Sequence, residues 1–452
     1  MSKYYTNVCV HGNNILFRGV NNGRRVKSKV KYSPTLFLQS NKRTEWKSLF
    51  NEPLEPMTFE TIREARDFVK RYEEVANFKI YGNTRYEYAF IADTFRGIVD
   101  WDISNLHVAF IDIEVGSENG FPDPYKATEP ITAIGIHKLG GKTKVYGCGS
   151  YRNNDDNVDY VTCKDEVDLC ERFLADWSSD HPDVVTGWNI KFFDVPYIIN
   201  RFTRILGEDD VKKLSPWSVM SERKTVFKNK EQTVYDIVGI SALDYLELYQ
   251  WYAPGGKNVE NYRLDTVASV ELGENKIDYG GGNLSDLADT NWETFVDYNI
   301  QDVNILVKLD EALRYMPLLR SLSVTGLTTM ESALRSLGVI TGAAAIQARK
   351  RDVKIPTFAR DPNKVSKNEG AFVKEPESGI HKHLVSFDAN SLYPNTMITL
   401  NISPETKLGT ILEKTSEHIL IRDANYTQHK ISLHAFDKLV EKEKIAISKA
   451  NV

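Results

Sequence analysis

The sequence predicts a multi-domain protein of the α/β class. Its 452 residues exceed the roughly 100–200 residues of a typical domain, and 41% of them are hydrophobic while 26% are charged. That balance is typical of globular proteins with substantial cores. Between residues 107 and 315, segments with strand and helix patterns alternate, which favours a mixed sheet covered by helices. Residues 1–40 show strand patterns in succession, so we expect a separate α+β region there.

The first region is predicted to begin with antiparallel strands. Residues 7–10 and 15–18 flank a Gly-Asn-Asn turn, and a second turn follows at residues 21–23. Side chains alternate strictly from residue 25 to residue 32, so three basic residues share one face: Lys27, Lys29 and Lys31. A helix should follow, because apolar side chains then recur at helical spacing: Ile62, Ala65, Phe68, Val69 and Tyr72.

The middle of the chain supplies the predicted mixed sheet. Strands are expected at 108–115, 131–137, 144–148 and 183–186, a helix at 165–177 and a hairpin at 225–236. Thr290 and Glu293 form a capping-box pattern, which predicts a helix from there to about residue 315. The remaining chain should be helical to about residue 351 and then irregular, with strand-like runs at 370–373 and 383–388 and a mildly helical tail from 413.

Composition excludes some classes of protein and leaves others open. No segment approaches the ~20 apolar residues of a membrane span, and the first residues lack the apolar core of a signal peptide. The four cysteines show no metal-binding spacing and fit a reducing compartment, so we expect a soluble protein that is not secreted. The net charge of −5 does not indicate a nucleic-acid binder, but the basic clusters at 12–32 and 347–374 are either nucleic-acid contacts or solvated faces.

One strand-like stretch carries the first candidate site. Residues 108–115 are mostly apolar and β-branched, as in a strand buried on both faces, yet Asp112 and Glu114 interrupt them. Residues two apart project from the same face of a strand. Two buried like charges are unfavourable unless a cation lies between them, and oxygen ligands suit magnesium and manganese. The alternative is a strand end whose acids point into solvent.

Further acids that would complete such a site lie later in the chain. Asp194 follows the short strand at 183–186 and opens a predicted helix, where a favourable interaction with the helix dipole is the alternative explanation. Tyr298 and Asp302 are four residues apart on a later helix and share a face, although chance pairs of this kind are common. Four acids from three elements can hold two divalent metals ~3.5–4 Å apart, the geometry for in-line displacement at phosphorus.

These residues stand in motifs that resemble those of proofreading 3′→5′ exonucleases with four acids and a tyrosine. The motifs are Phe110-Ile111-Asp112-Ile113-Glu114, then Thr186-Gly187-Trp188-Asn189 with Phe193-Asp194, and Tyr298-Asn299-Ile300-Gln301-Asp302. The segment 243–249 and the predicted hairpin also resemble that domain in the family B DNA polymerases, above all the replicative enzymes of large tailed bacteriophages. The resemblance implies a ribonuclease H-like mixed sheet and five catalytic residues: Asp112, Glu114, Asp194, Tyr298 and Asp302.

The resemblance also implies a chemistry. The four acids would bind two Mg²⁺ or Mn²⁺ ions, one to make a nucleophile of a bound water and one to stabilise the leaving oxygen. Tyr298 would hydrogen-bond the attacking water. DNA would contact Asn189 and Phe193, and the predicted hairpin would help to part primer from template.

The last third of the chain resembles part of the polymerase palm in the same family. Gly370-Ala371-Phe372-Val373 looks like the segment that contacts template, although Glu369 replaces the usual aromatic-proline lead-in. Ser-Phe-Asp-Ala-Asn-Ser-Leu-Tyr-Pro at 386–394 resembles the first palm motif, and 401–406 resembles the segment beyond it. By this resemblance Asp388 binds metal and Gly370 contacts DNA. Three residues would hold the incoming nucleotide: Ser391, Leu392 and Tyr393.

Other parts of a polymerase do not occur in these residues. No turn of the Tyr-Gly-Asp-Thr-Asp type follows Asp388, and the fingers helix is absent too. One carboxylate cannot hold two metals, so we expect polymerisation to need a C-terminal partner that supplies fingers, the rest of the palm and thumb. A split polymerase would explain this, and so would a truncated chain. The expected domains are an α+β N-terminal domain at 1–106 plus about 315–357, the exonuclease domain at 107–314 and a partial palm at about 358–452.

The expected partners are DNA and this C-terminal fragment, in the cytoplasm of an infected bacterium, with a sliding clamp reached through the fragment. Two other functions stay open at this stage. One is a free-standing exonuclease, against which the palm motif argues. The other is an RNA- or template-binding module that uses the basic face of Lys27, Lys29 and Lys31.

Overall fold

The computed structural model describes residues 3–73, 75, 78–95, 99, 101–117, 120–227, 230–253, 259–274, 284–357, 372–403, 406–423 and 427–443. The chain forms two compact units. The first comprises Met1–Pro34, Thr58–Phe68 and Asn83–Gln347, and the second comprises Thr35–Met57, Val69–Gly82 and Ala348–Val452. The predicted boundaries of the N-terminal, exonuclease and palm domains are a different division, and they stay a prediction. Among the described helices, none combines the length and the hydrophobicity of a membrane-spanning segment.

Strands and helices alternate along much of the described chain. In chain order the described strands are β1 (Lys3–His11), β2 (Asn14–Asn21), β3 (Arg24–Lys31), β4 (Thr35–Gln39), β5 (Trp46–Ser48), β6 (Pro53–Thr58), β7 (Ile80–Tyr81), β8 (Val108–Val115), β9 (Ile131–Lys138), β10 (Thr143–Gly147), β11 (Val158–Thr162), β12 (Val184–Gly187), β13 (Met220–Phe227), β14 (Lys230–Ile237), β15 (Ser241–Asp244), β16 (Val353–Lys354), β17 (Gly409–Lys414), β18 (His418–Asp423) and β19 (Gln428–Ser432). The described α-helices are α1 (Ile62–Tyr72), α2 (Tyr86–Thr94), α3 (Glu166–Ser179), α4 (Asp194–Leu206), α5 (Glu208–Val211), α6 (Tyr245–Tyr252), α7 (Leu264–Leu272), α8 (Leu284–Thr290), α9 (Trp292–Leu313), α10 (Tyr315–Thr325), α11 (Met330–Ala333), α12 (Ser336–Lys350), α13 (Leu392–Thr399) and α14 (Leu433–Glu443).

The antiparallel strands predicted for the first region are confirmed; the first two are longer than predicted, and the third has the predicted length but begins one residue earlier. β1, β2 and β3 form a three-stranded sheet with β2 in the centre. Two-residue turns join them, and Gly12, Asn22 and Gly23 adopt the positive φ that such turns favour. Apolar side chains of β1 and β2, among them Tyr5 and Phe17, pack against α2 and form a core of their own.

The basic face of β3 is partly used inside the protein. The Lys27 ammonium donates to the backbone oxygen of Pro216 (2.7 Å) and lies 5.1 Å from the centroid of the Trp217 ring. The other two lysines of this face, Lys29 and Lys31, are exposed. RNA or template binding by this face therefore depends on those exposed residues, and it stays a prediction.

A buried ion pair fixes this sheet to the amino ends of β12 and β15. Arg18 of β2 is 6% exposed, and Asp183, just before β12, is 1% exposed. The Arg18 guanidinium lies 3.1 Å from the Asp183 carboxylate. It also donates to three backbone oxygens, those of His181, Pro182 and Gly239. A buried pair is favourable only when such additional hydrogen bonds are made, so the arrangement orients the two sheets specifically.

The mixed sheet predicted for the middle of the chain is confirmed. Its six strands lie in the order β11-β10-β9-β8-β12-β15. β8, β12 and β15 are parallel, β9 is antiparallel to both β8 and β10, and β10 pairs in parallel with β11. α3 and α4 pack on one face, and α6, α7 and α9 pack on the other, each group over its own apolar core. The predicted hairpin is confirmed as β13 and β14.

The start of α9 differs from the predicted capping box. Thr290 belongs to the preceding helix α8, and its hydroxyl donates to the backbone oxygen of Asp286 (2.6 Å). Asn291 is the N-cap instead, because its side chain accepts the backbone N–H of Thr294 (3.2 Å). The prediction of Thr290 as the cap is therefore wrong by one residue. Asparagine caps a helix as well as threonine does, so the local pattern allowed both positions.

The described residues of the second unit form two sheets. One has the order β16-β5-β6-β4-β7, and in it the Lys354 ammonium lies 4.6 and 4.3 Å from the ring centroids of Phe37 and Trp46. The other is the antiparallel sheet β17-β18-β19, with α14 packed on it and Ile419 and Phe436 buried. The tail from residue 413 was predicted to be mildly helical, and this prediction is wrong for the residues that form β18 and β19. Pairing between strands outweighs local propensity there.

The strand predicted at 383–388 does not form. Described residues 372–389 belong to neither helix nor strand. The apolar side chains of this run are exposed by 71–92%, as for Leu384, Val385 and Phe387. A strand needs backbone partners to satisfy its hydrogen bonds, and none of the described strands pairs with this run. The run predicted at 370–373 lies partly outside the described residues, and Phe372 and Val373 form no strand.

Candidate active site

Strand β8 changes from apolar to acidic along one face. Ile111 and Ile113 point into the core beneath α3 and α4. Val108 and Phe110 point to the opposite face, into the core beneath α6, α7 and α9. Alternation then places Asp112 and Glu114 on that same second face. The sequence-based prediction that both carboxylates share a face of a buried strand is therefore confirmed by the packing.

A third carboxylate joins them from α9. One ligand oxygen each from Asp112, Glu114 and Asp302 lie within 4.8 Å of one another. Glu114 and Asp302 are buried, and Asp112 is partly buried. Three carboxylates this close repel one another unless a cation or protons intervene, and hard oxygen ligands suit Mg²⁺ and Mn²⁺. The cluster can therefore hold a divalent metal ion.

A glycine in the neighbouring strand lets α9 approach β8. Gly135 of β9 pairs directly with Asp112. A methyl group on Gly135 would lie 2.3 Å from Oδ1 of Asn299 and 2.9 Å from Cγ2 of Val303, both on α9. The helix thus packs against bare backbone at the level of the acids. Gly135 was not among the predicted site residues, although an isolated glycine in a strand is a known signal of close backbone approach.

We predict that Gly135→Ala displaces α9 and lowers activity at this site at least about tenfold, with a loss of stability of about 1–3 kcal/mol from overpacking. The added methyl has no room because Asn299 and Val303 occupy its position. Thermal unfolding and an exonuclease assay measure the two effects. Ile134→Val, a one-methyl change at a buried position of the same strand, is the control: it should cost about 0.5–1.5 kcal/mol of stability and leave the activity unchanged. Full activity and stability of Gly135→Ala would contradict the close packing described above.

Asp194 opens α4 as predicted, and it lies against the backbone of β8. Its Oδ1 accepts the N–H of Ile113 at 3.2 Å. The residue is 3% exposed, and this burial raises the pKa of its carboxyl to about 7. Asp194 is not one of the three acids whose oxygens converge. Its predicted role as a fourth metal ligand stays a prediction.

The turn that leads to Asp194 is held by an acid that the sequence analysis did not assign to the site. Asp244, at the end of β15, is 4% exposed. Its Oδ1 accepts the N–H groups of Asn189 and Leu246 (both 3.0 Å), and its Oδ2 accepts the N–H of Lys191 (3.2 Å). Asn189 has a φ of 63°, a strained value for a residue with a side chain. Asp244 therefore stabilises the unusual backbone of this turn.

We predict that Asp244→Asn lowers the free energy of unfolding by about 1–3 kcal/mol, because the new amide N–H₂ faces the N–H of Lys191. Burial raises the pKa of Asp244 to about 6. The native state therefore keeps a proton on Asp244 that the unfolded state releases above its ordinary pKa, so the contribution of this residue to stability falls as pH rises through about 4 to 6. The asparagine variant has no ionisable group at this position and lacks this pH dependence. The difference in free energy of unfolding between wild type and variant should therefore shrink toward pH 7. Denaturant unfolding at pH 4.5 and 7 measures this.

The exposed N-cap Asp165 of α3 provides the matched control, since Asp165→Asn removes a carboxylate that accepts one N–H at the surface. Its effect should be below about 1 kcal/mol. An equal, pH-independent effect of the two variants would contradict the role assigned to Asp244.

Aromatic side chains lie beside the start of α4. The ring centroid of Phe193 is 5.4 Å from that of Phe121 and 5.6 Å from that of Tyr197. Phe121 is 87% exposed, in a loop after β8. A DNA contact was predicted for Phe193 but not for Phe121, whose exposure no local pattern reveals. Tyr298 is half-buried on α9, one turn before Asp302.

The predicted palm residues lie in the second unit. Asp388 is exposed, and Ser391 has a φ of 50° just before α13. Leu392 and Tyr393 are 56% and 68% exposed. Gly370 lies outside the described residues. The metal, nucleotide and DNA contacts assigned to these residues stay predictions.

Comparison with known proteins identifies both parts of the chain. Residues 57–267 match the family described as DNA polymerase family B, exonuclease domain, and residues 336–444 match DNA polymerase family B. The DNA-directed DNA polymerase of Escherichia phage RB69 is 29% identical over 444 residues, and that of Enterobacteria phage T4 is 30% identical over 439 residues. These alignments cover 91% and 90% of this chain. The DNA polymerase delta catalytic subunit of Candida albicans is 30% identical over 248 residues, 50% of this chain and 23% of that protein.

The mixed sheet, its carboxylates and these matches define a polymerase-associated exonuclease domain with a segment of polymerase palm. The chain belongs to the family B DNA polymerases, as its motifs predicted. It spans 48% of the length of each of the two phage relatives. The exonuclease match ends at residue 267, so the position of Asp302 beside β8 comes from the structure.

Proposed function

We propose that this chain removes nucleotides from the 3′ ends of DNA in a reaction that depends on divalent metal ions. The observation that carries this proposal is the convergence of Asp112, Glu114 and Asp302 within 4.8 Å. That cluster lies on a sheet that matches a family B exonuclease domain. The proposed setting is the cytoplasm of a phage-infected bacterium.

The acids fit Mg²⁺ or Mn²⁺ as the metal. Hard oxygen ligands come from β8, through Asp112 and Glu114, and from α9, through Asp302. Asp194 lies beside the backbone of β8. Two divalent ions held by these acids would supply an activated water and stabilise the leaving oxygen. Close like charges on β8 and α9 support this assignment, because a cation offsets their repulsion.

Other residues of the chain would position the DNA end. The exposed ring of Phe121, packed against Phe193, offers a surface on which terminal bases stack, an interaction worth about 1–3 kcal/mol per base. The turn at Asn189, fixed by Asp244, leads directly into this aromatic pair and α4. Tyr298 shares a face of α9 with Asp302, and its hydroxyl would hydrogen-bond the attacking water.

A degradation assay tests the proposal. A 5′-labelled single-stranded oligonucleotide should shorten stepwise from its 3′ end with Mg²⁺ or Mn²⁺ and stay intact with a chelator. A second oligonucleotide with phosphorothioate linkages at its 3′ end should resist. Absence of 3′ shortening by the folded chain with either metal would overturn the proposed function.

We further propose that the chain is part of a polymerising enzyme. Its palm segment matches DNA polymerase family B and supplies one candidate metal ligand, Asp388. Near this residue several apolar side chains are exposed by more than 70%, as expected for a surface that further palm strands would cover: Phe372, Val373, Ile380, Leu384, Val385, Phe387 and Ile398. A C-terminal polymerase piece with fingers, the second palm carboxylate and thumb is the proposed partner, and a sliding clamp would act through it.

A mixing experiment distinguishes this proposal from a free-standing exonuclease. Nucleotide incorporation on a primer–template should appear when the C-terminal polymerase polypeptide is added and should be lost with Asp388→Ala. Degradation of the primer should persist in that variant. Incorporation that never appears with a folded partner would favour the free-standing exonuclease.

A further inference from the structure

One buried side chain of α9 contacts the acidic cluster without being an acid. Asn299 is completely buried. Its amide Nδ2 lies 3.1 Å from Oδ2 of Asp112 and 3.5 Å from the backbone oxygen of the same residue. Asn299 precedes Asp302 by three residues, so both side chains lie on the same face of α9. That face therefore carries the Asp302 carboxylate and also the amide that donates to the Asp112 carboxylate.

The rest of the Asn299 environment does not favour an amide. Its Oδ1 is buried and has no hydrogen-bond partner among the described residues. A buried polar atom without a partner destabilises a fold by about 1–3 kcal/mol, and such exceptions in native structures call for an explanation, such as a role in a site or a bound water or ion. A leucine of similar shape would avoid this penalty. The amide at this position therefore serves its contact with Asp112.

We propose that Asn299 is a positioning residue that holds the Asp112 carboxylate in the orientation that binds metal, an inference that rests on the proposed exonuclease function. A carboxylate on a strand rotates about its terminal bond, and a fixed donor to one oxygen limits that rotation. The donor is neutral, so it does not compete with the metal for the acid as a lysine or arginine ammonium or guanidinium would. Hydrogen bonds to metal ligands from neighbouring residues typically change metal affinity by about 10–100-fold.

Gly135 makes this contact possible. The position opposite Asp112 carries no side chain, and Asn299 occupies the space that a Cβ there would take. Gly135, Asn299 and Asp112 therefore depend on one another. The absence of a side chain at Gly135 leaves space for the Asn299 amide, and this amide donates to the Asp112 carboxylate. A merely structural asparagine would not explain why its one described polar contact is to a candidate metal ligand.

The decisive variant is Asn299→Leu, which keeps the approximate shape and removes the donor. The affinity of the full chain for Mn²⁺ should weaken by about 10–100-fold in this variant. It is measured without DNA, from the decrease of the free Mn²⁺ signal in electron paramagnetic resonance. The exonuclease kcat should fall at low Mn²⁺ and recover at high Mn²⁺, while KM for DNA stays within twofold. Asn304→Ala is the matched control, because this asparagine on the same helix accepts from Thr143 Oγ1 (2.8 Å). It should leave Mn²⁺ affinity unchanged.

Asn299→Ser provides a second test if the leucine variant does not fold, because its shorter side chain fits and does not reach Asp112. Equal Mn²⁺ affinity and equal metal dependence of the folded Asn299 variant and the unaltered chain would overturn this inference alone. If the unaltered chain neither binds Mn²⁺ nor shortens DNA, the proposed function fails, and the inference fails with it.

Discussion

Replacing Asp112 and Glu114 together by alanine is expected to reduce 3′-terminal degradation of single-stranded DNA by at least about a thousandfold. These residues are two of the three acids that converge within 4.8 Å, so the variant leaves Asp302 without its partners on β8. Divalent ions at nuclease sites supply several kcal/mol of transition-state stabilisation, and about 1.4 kcal/mol corresponds to a tenfold change in rate. The fold should persist, because the substitutions remove two neighbouring like charges.

The measurement is the length distribution of a 5′-labelled oligonucleotide over time in Mg²⁺ and in Mn²⁺. Circular dichroism and thermal unfolding verify the fold. The control is the double variant Asp159→Ala with Glu171→Ala, which removes two exposed acids from β11 and α3 of the same domain. The control should degrade DNA at the normal rate. Degradation by the Asp112 and Glu114 variant at more than a few per cent of that rate would assign the activity to another site.

Arg18→Ala is expected to lower the free energy of unfolding by about 2–4 kcal/mol, because the buried Asp183 carboxylate loses the nearby Arg18 guanidinium while that of Arg25 stays 3.3 Å away. Asp183 is 1% exposed, and Arg18 lies 3.1 Å from it. The variant also leaves the backbone oxygens of Pro182 and Gly239 without the Arg18 donor. Denaturant unfolding measures the change, which exceeds a typical surface substitution by a wide margin.

Arg24 offers the matched control, because it lies exposed on the neighbouring strand. Arg24→Ala should change stability by less than about 0.5 kcal/mol. In the background of Asp183→Ala, the additional effect of Arg18→Ala should shrink, since the two residues form one interaction and their effects are not additive. Additive effects of the two substitutions would show that the ion pair does not couple the two sheets.

The elements with strong local patterns were predictable from the sequence. The apolar run at 108–115 and the helical spacing from Ile62 to Tyr72 each describe a surface that must be buried on one or two faces. The alternation in 25–32 predicted a strand correctly, although no residue of β3 is buried. The turns at Gly12 and Gly23 follow from residues that tolerate positive φ. These patterns depend on residues only a few positions apart, and therefore they can be interpreted without knowledge of the rest of the chain.

Elements that depend on distant partners were predicted less well. The run at 383–388 has the composition of a strand, yet it forms none, because composition does not supply the hydrogen-bonding neighbour that a strand requires. The tail beyond 413 carries charges typical of a helix surface, yet β17, β18 and β19 pair in it. At Thr290 and Asn291 two residues were equally good caps, and the hydroxyl of Thr290 was already used within α8.

The sequence by itself determined that Asp112 and Glu114 share a face of a buried strand, because alternation is a local property of extended backbone. It also determined the family, because the family's motifs are short continuous segments that can be recognised without a structure. The motifs also predicted that Asp302 joins these two acids, whereas the tertiary structure alone showed which residues without a carboxylate meet them. Asn299 contacts Asp112 across 187 residues of chain, and the absent side chain of Gly135 creates the space for that contact. Such contacts result from the packing of α9 on the sheet, and close packing is a property of the whole core rather than of any one segment.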